Sequence, residues 1–191
     1  NEAVIDSARP AYPNFTATTH ALEVALYNPN ILLHPIGVIF NLGRIEFSKG
    51  DFWMYKEGFT PSVMKLLYSL EEEKMGLLRA LGLEPERFED FYEYRYQEKW
   101  SDFATVSSKG PFSANTRYIS EDIPIGMVLW ASLGDMLGVP TPTARALIQV
   151  SSVIHDTDYW QGGRTVEKLG LAEMTVEELN KYLMDGTVPA V

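Results

Sequence analysis

Apolar residues recur at helical spacing along most of the chain. In TPSVMKLLYSLEEEKMGLLRALG, residues 60–82, they fall at positions 63, 66, 67, 70, 77, 78 and 81, one face of a 3.6-residue period. Thr60 is placed to cap the start, Pro61 takes the first helical position and Gly82 closes the end. DIPIGMVLWASLGDMLG is apolar around its circumference and predicts a mostly buried helix closed by Gly138. TPTARALIQVSSVIHD repeats the Thr-Pro start. GGRTVEKLGL and TVEELNKYLMDG predict two short helices, the second with Thr175 followed three residues later by Glu178, the capping-box spacing. From Thr16, the spacing of Ala21, Val24, Ala25 and Tyr27 predicts a helix that stops at Asn28-Pro29-Asn30, and a new helix starts near Asn30. LEPERFED leads into a Tyr- and Phe-rich helical segment reaching about Ser107, whereas KGDFWMYKEGF and SSKGPFSANTR read as loops or short irregular excursions. With no alternation of strands and helices and no fixed repeat, the expected fold class is all-α.

One segment interrupts this plain pattern with chemistry. NPNILLHPIGVIFNLGRIE, residues 28–46, sets a histidine, His34, directly before a proline inside an apolar run. A histidine there is either a satisfied core residue or a proton carrier near a helix terminus or kink, since Pro35 removes one backbone donor. A second segment, GPFSANTRYISEDIPIG, places Arg117, Glu121 and Asp122 just ahead of Ile123-Pro124. Those acids suit a helix N-terminus, and Arg117 could simply pair with one of them.

Composition bounds the rest. The chain has 191 residues, 46% hydrophobic and 22% charged, enough for one sizeable core. A net charge of −10 with dispersed Lys and Arg argues against nucleic acid or an anionic membrane as partner. The apolar runs are too short to span a bilayer and no secretion signal opens the chain, so a cytoplasmic location is expected. There is no cysteine, hence no disulfide, thiolate nucleophile or Cys-type zinc site. His20, His34 and His155 are too dispersed for a metal pair, and HDTD at 155–158 reads better as a solvated helix end. GGR at 162–164 is too short to cradle a phosphate, and the chain carries no glycine-rich nucleotide fingerprint, so no cofactor-binding residues and no metal ligands are expected within it. The chain opens on Asn1 and a Pro-punctuated stretch. Residues 1–15 are therefore read as a linker or the tail of an element from a preceding domain, and 16–191 as the helical domain.

Taken together, NPNILLHPIGVIFNLGRIE, LEEEKMGLLRALGL, RYISEDIPIGMVLWASLGDMLGVPTPTARALI and GGRTVEKLGL resemble, in order, the C-terminal helical domain of the octopine and nopaline (opine) dehydrogenases. The resemblance implies a multi-helix domain like that of opine and 6-phosphogluconate-type dehydrogenases. It implies an oxidoreductase that joins an amino acid to a 2-oxo acid reductively, with NAD or NADP bound mainly by an N-terminal Rossmann domain that this chain lacks. The chain alone is then expected to be inactive, with that Rossmann domain as its partner. By the same resemblance His34 and Asp122 form the acid/base dyad and Arg117 holds a substrate carboxylate. Imidazole suits proton transfer near neutral pH, a carboxylate on its other nitrogen fixes the tautomer, and a guanidinium offers a carboxylate two parallel donors. Asn30 and Asn41 flank the histidine segment as polar liners of a substrate site, or equally as cap and turn residues. The rival readings are a free-standing helical binding or dimerisation module, or a helical small-molecule sensor. A helical face freed from a Rossmann partner would be apolar and could pair with a second copy as a homodimer.

Overall fold

The computed structural model describes residues 2–13, 15–97, 99–100 and 108–187. Among the described residues it is helical, with no strand. Two short helices, α1 (Glu2–Ala8) and α2 (Ala21–Tyr27), lead into α3 (Asn30–Ile39) and α4 (Leu42–Phe47). A one-turn helix, α5 (Met54–Glu57), precedes the longest element, α6 (Pro61–Ala80), and α7 (Phe88–Tyr96). The expected continuation of α7 over 101–107 lies outside the described residues. Then come α8 (Arg117–Ser120), a π-helical stretch (Asp122–Met127), α9 (Val128–Leu137), α10 (Pro142–Ile154), α11 (Tyr159–Gly162) and α12 (Val176–Asp185). No helix among the described residues is long and apolar enough to cross a membrane.

Helix α3 is the axis of the core. Ile31 through Val38 are all buried, so the helix has no solvent face, which is the pattern of an element surrounded by others. It packs against α6, α8 and the π-helical stretch, while α10 closes the other side against α6, α9 and the same stretch. The side chain of Asn28 accepts the Asn30 N–H at 3.1 Å and starts α3 where the sequence placed it. Pro35 is its sixth residue, beyond the first turn, so the helix runs past a missing donor.

The helix expected from Asp122 to Gly138 forms, but in two registers. Pro124 has no N–H, and at the end of the first segment Val128 N–H reaches back five residues to Ile123 O. The Pro124 carbonyl, which an α-register would give to Val128, instead accepts Arg164 N–H at 2.7 Å. Gly126 faces Ile31 so closely that a Cβ there would lie 2.4 Å from Ile31 Cδ1. The glycine therefore lets the wide turn press against α3, three residues ahead of His34.

GGRTVEKLGL is not a helix. It follows the single turn of α11 and continues as turns, with Gly170 at φ +71°. Its backbone is bound sideways: Val166 N–H donates to Ser132 Oγ at 2.9 Å, Arg164 N–H to Pro124 O, and Lys168 Nζ reaches the carbonyls of Gln161 and Gly163. Gly163 lies against Val128, where a Cβ would come within 2.7 Å of Cγ1, so this second glycine of the pair serves close packing on the π-to-α junction. The N-terminal stretch holds one short helix, α1, with Ile5 buried, and α12 carries the expected reciprocal capping box of Thr175 and Glu178.

The Thr-Pro start at 141–142 is capped by a residue from elsewhere. The Thr141 hydroxyl makes no cap and, although buried, has no hydrogen-bond partner among the described residues. Glu73 of α6 instead accepts the N–H groups of Thr143 at 2.7 Å and Ala144 at 3.0 Å. Glu71 does the same for α7, accepting Phe88 N–H at 2.6 Å and Arg87 at 3.0 Å. Lys74, buried beside it, donates to Glu86 O at 2.7 Å; burial pushes its ammonium below the usual lysine range, and Glu71 opposes that shift.

Candidate functional site

His34 is the fifth residue of α3 and Asp122 the first of the π-helical stretch. They are 88 positions apart, and the fold brings His34 Nδ1 to 2.7 Å from Asp122 Oδ2. The side chains are 6% and 18% exposed, so the pair sits at the edge of the core with the carboxylate nearer to solvent. A carboxylate oxygen only accepts, so Nδ1 carries a hydrogen and the neutral ring presents Nε2 as its open acceptor. Nε2 has no hydrogen-bond partner among the described residues.

The two other histidines are committed differently. His20 caps α2, its Nδ1 accepting Glu23 N–H, and its Nε2 donates to Asn180 Oδ1 at 3.2 Å. His155 Nε2 donates to Ala114 O at 3.0 Å, so its Nδ1 accepts the Tyr159 hydroxyl at 2.6 Å. That ring fastens the 108–116 loop, three residues before Arg117, to the end of α10. Among the described residues no group of three or more His, Asp or Glu side chains is arranged to hold a metal ion.

Tyr118 stacks on the His34 ring, with centroids 3.8 Å apart and planes 17° from parallel. It comes from α8, whose first turn Thr116 caps through the Tyr118 N–H. Nothing in the reading of the sequence singled it out; the available signal was its place four residues before Asp122, which puts both side chains on one helical face.

Arg117 lies next to this group but on the outside. Its side chain is 64% exposed, 3.9 Å from Glu121, and its guanidinium carbon is 5.4 Å from the centre of the Tyr118 ring. With Lys109, Gly110, Pro111, Thr116 and Tyr118 it lines a recess of about 240 Å³. Tyr55 of α5, half-buried, stacks on Phe59 at 5.8 Å. Burial pushes its phenol above the ordinary range; neighbouring Tyr118 adds to the shift and Arg117 opposes it, so the hydroxyl stays protonated at neutral pH.

The two asparagines fall on either side of the dyad. Asn30 is exposed at the first position of α3. Asn41 follows α3 and donates its side-chain amide to Gly37 O at 2.9 Å and Gly58 O at 3.1 Å, tying the helix end to the loop after α5. The structure thus joins His34 and Asp122 directly, sets Arg117 against the Tyr118 ring that stacks on His34, and gives Asn41 a tethering bond pattern.

Chemically, the arrangement offers a histidine oriented by a carboxylate, with one nitrogen available, next to an exposed cation. That combination can carry a proton to or from an anionic substrate.

The sequence matches the profile of the NAD/NADP octopine/nopaline dehydrogenase alpha-helical domain over residues 17–155. It is 34% identical over 171 residues to an opine dehydrogenase of Arthrobacter sp. (strain 1C), covering 85% of this chain and 47% of that protein. It is 26% identical over 159 residues to the protein ocs of Agrobacterium tumefaciens (strain Ach5), covering 75% and 42% respectively. A vitopine synthase of Allorhizobium ampelinum is 25% identical over 166 residues, covering 79% of this chain and 44% of the synthase. The chain spans about half the length of the curated relatives it matches. With the matched region containing His34, Arg117 and Asp122, the chain belongs to the octopine/nopaline dehydrogenase family, as its α-helical domain.

Proposed function

We propose that this chain is the substrate-binding and catalytic half of an opine-dehydrogenase-like oxidoreductase, which condenses the amine of an amino acid with the carbonyl of a 2-oxo acid and reduces the product with NADH or NADPH. The observation that carries the reading is the 2.7 Å His34–Asp122 contact with Nε2 left open.

The proton inventory of such a reaction suits that geometry. When the amine nitrogen adds to the carbonyl carbon, a carbinolamine forms; loss of its hydroxyl as water gives the imine. His34 Nε2 takes a proton from the substrate ammonium, freeing the nitrogen lone pair that adds to the carbonyl, and returns a proton to the departing hydroxyl. Asp122 holds Nδ1–H throughout, which keeps the same nitrogen facing the substrate and stabilises the imidazolium that forms in passing. Arg117 receives a substrate carboxylate in its recess, where two parallel N–H donors fix the orientation of the carbon to be reduced. Asn30, at the start of the same helix, is a polar group at the rim. The apolar wall of α3 and the Tyr118 ring limit the access of water to the imine.

The described residues contain no strand leading through a glycine turn into a helix, the arrangement that cradles a dinucleotide's phosphates. When bound by a Rossmann domain, the dinucleotide supplies the hydride that reaches the imine carbon.

The test is kinetic. Full-length protein is assayed for NADH and NADPH oxidation with pyruvate and a panel of L-amino acids. Turnover that requires both the amino acid and the 2-oxo acid, and that His34→Ala lowers by roughly a hundredfold or more, is expected. Turnover that His34→Ala leaves undiminished, or that needs only one of the two substrates, contradicts the proposal.

A further inference from the structure

A single hydrogen bond fixes the tautomer of an imidazole but not the plane of its ring. The Nδ1–Oδ2 contact fixes one point of the His34 ring, while the terminal torsion of a histidine side chain is broad and roughly two-fold. The ring could swing about that contact and carry Nε2 away from a substrate. What removes this freedom is a flat surface: Tyr118 covers one face of the ring at 3.8 Å and 17°. Tyr118 and Asp122 lie four residues apart, across the junction of α8 and the π-helical stretch, so one run of backbone supplies both the acceptor for Nδ1 and the plate for the ring. The ring is pinned at an edge and over a face by groups that cannot move independently. Tyr118 is only half-buried and borders the Arg117 recess, so it also sits between the proton carrier and the cation.

We propose that Tyr118 is a positioning residue, acting through its aromatic face rather than its hydroxyl to hold the His34 ring in the plane that directs Nε2 at the substrate. The inference rests on the reading of His34 as proton carrier. Stacking is attractive for the neutral ring and more so for the imidazolium formed in the reaction, so the plate favours both forms in the same plane. A hydroxyl role predicts that phenylalanine fails; a face role predicts that it succeeds.

The experiment uses full-length protein with the tyrosine replaced in three ways. Tyr118→Phe keeps the face, Tyr118→Leu removes it, and Tyr118→Met removes it with an unbranched chain that fills the space if leucine does not fold. The first readout is the nitrogen-15 spectrum of labelled histidine, with the His34 signals identified by their loss in His34→Gln. Wild type and Tyr118→Phe are expected to show sharp His34 ring signals with hydrogen on Nδ1, and the leucine or methionine variant signals broadened by exchange between ring orientations. The second readout is the oxidation of NADH or NADPH with pyruvate and L-amino acids. Tyr118→Phe is expected within about twofold of wild type, and the flexible replacements to lose roughly tenfold in kcat with KM changed by less than about twofold. Sharp His34 ring signals in the leucine or methionine variant overturn the proposal, and so does wild-type kcat in either. So does a phenylalanine variant that falls as far as leucine. If His34→Gln leaves turnover intact, the catalytic reading has failed, and the width of the His34 ring signals still decides whether Tyr118 fixes the ring.

Discussion

Two sets of buried ionisable groups in this helical core differ in what they leave uncommitted. On α6, Glu73 gives both carboxylate oxygens to the first N–H groups of α10, and Glu71 gives both of its oxygens to Phe88 N–H and Arg87. Between α3 and the π-helical stretch, His34 gives one nitrogen to Asp122 and keeps the other without a partner among the described residues. Both arrangements satisfy the requirement that a buried polar group be paired. A proton placed on Glu73 would break a helix cap, whereas a proton placed on His34 Nε2 disturbs nothing. Burial by itself therefore does not tell the two apart. Remaining hydrogen-bonding capacity, held in a fixed direction, does.

Substitution should separate the two regions sharply. His34→Ala in the full-length enzyme should lower kcat by roughly a hundredfold to ten-thousandfold, the range of general acid–base assistance, while a thermal melt shows a folded protein. Glu73→Ala should do the reverse. Removing the acceptor for two buried N–H groups should cost about 2–4 kcal/mol of stability in chemical denaturation, with kcat per folded molecule unchanged. Were Glu73→Ala to leave stability intact and abolish turnover, the division drawn between the regions would be wrong.

Smaller effects sharpen the same contrast. Arg117→Lys keeps the charge and loses the fork, and should raise KM for one carboxylate substrate by about tenfold with little change in cofactor affinity. Equal shifts in KM for substrate and dinucleotide would remove Arg117 from the carboxylate role. Thr175→Ala breaks a capping box remote from the site and should cost about 1 kcal/mol of stability, measured by denaturant midpoint, with kinetics untouched.

Much of this was legible in the sequence, for reasons that can be located. The α6 pattern, the start of α3 after Asn28-Pro29 and the Thr175 box are local: the residues that decide them are within a few positions of one another. The pairing of His34 with Asp122 came through resemblance, since no spacing rule joins residues 88 apart. What stayed hidden depends on distant partners. The π-register at Pro124 is completed by Arg164 N–H, GGRTVEKLGL is held in turns by Ser132 and its own Lys168, and the cap of α10 comes from Glu73 rather than Thr141. Glu71 and Glu73 of LEEEKM look like part of a solvated helix face because their partners, the N-termini of two other helices, are supplied only by tertiary packing. Tyr118 was passed over because an aromatic next to an arginine carries no chemistry until the fold sets a histidine against it.

The central claim is that His34 and Asp122 act as one proton-transfer unit, and a double-mutant cycle on kcat tests it most directly. His34→Ala, Asp122→Ala and the double variant are measured in the full-length enzyme with saturating amino acid, 2-oxo acid and dinucleotide. The account predicts that each single change lowers kcat by roughly a hundredfold or more, and that the double variant falls no more than about tenfold below the weaker single, because the second loss removes a group already made useless. A double variant whose loss equals the product of the two single losses would mean that the residues act independently and that their 2.7 Å contact is packing rather than mechanism.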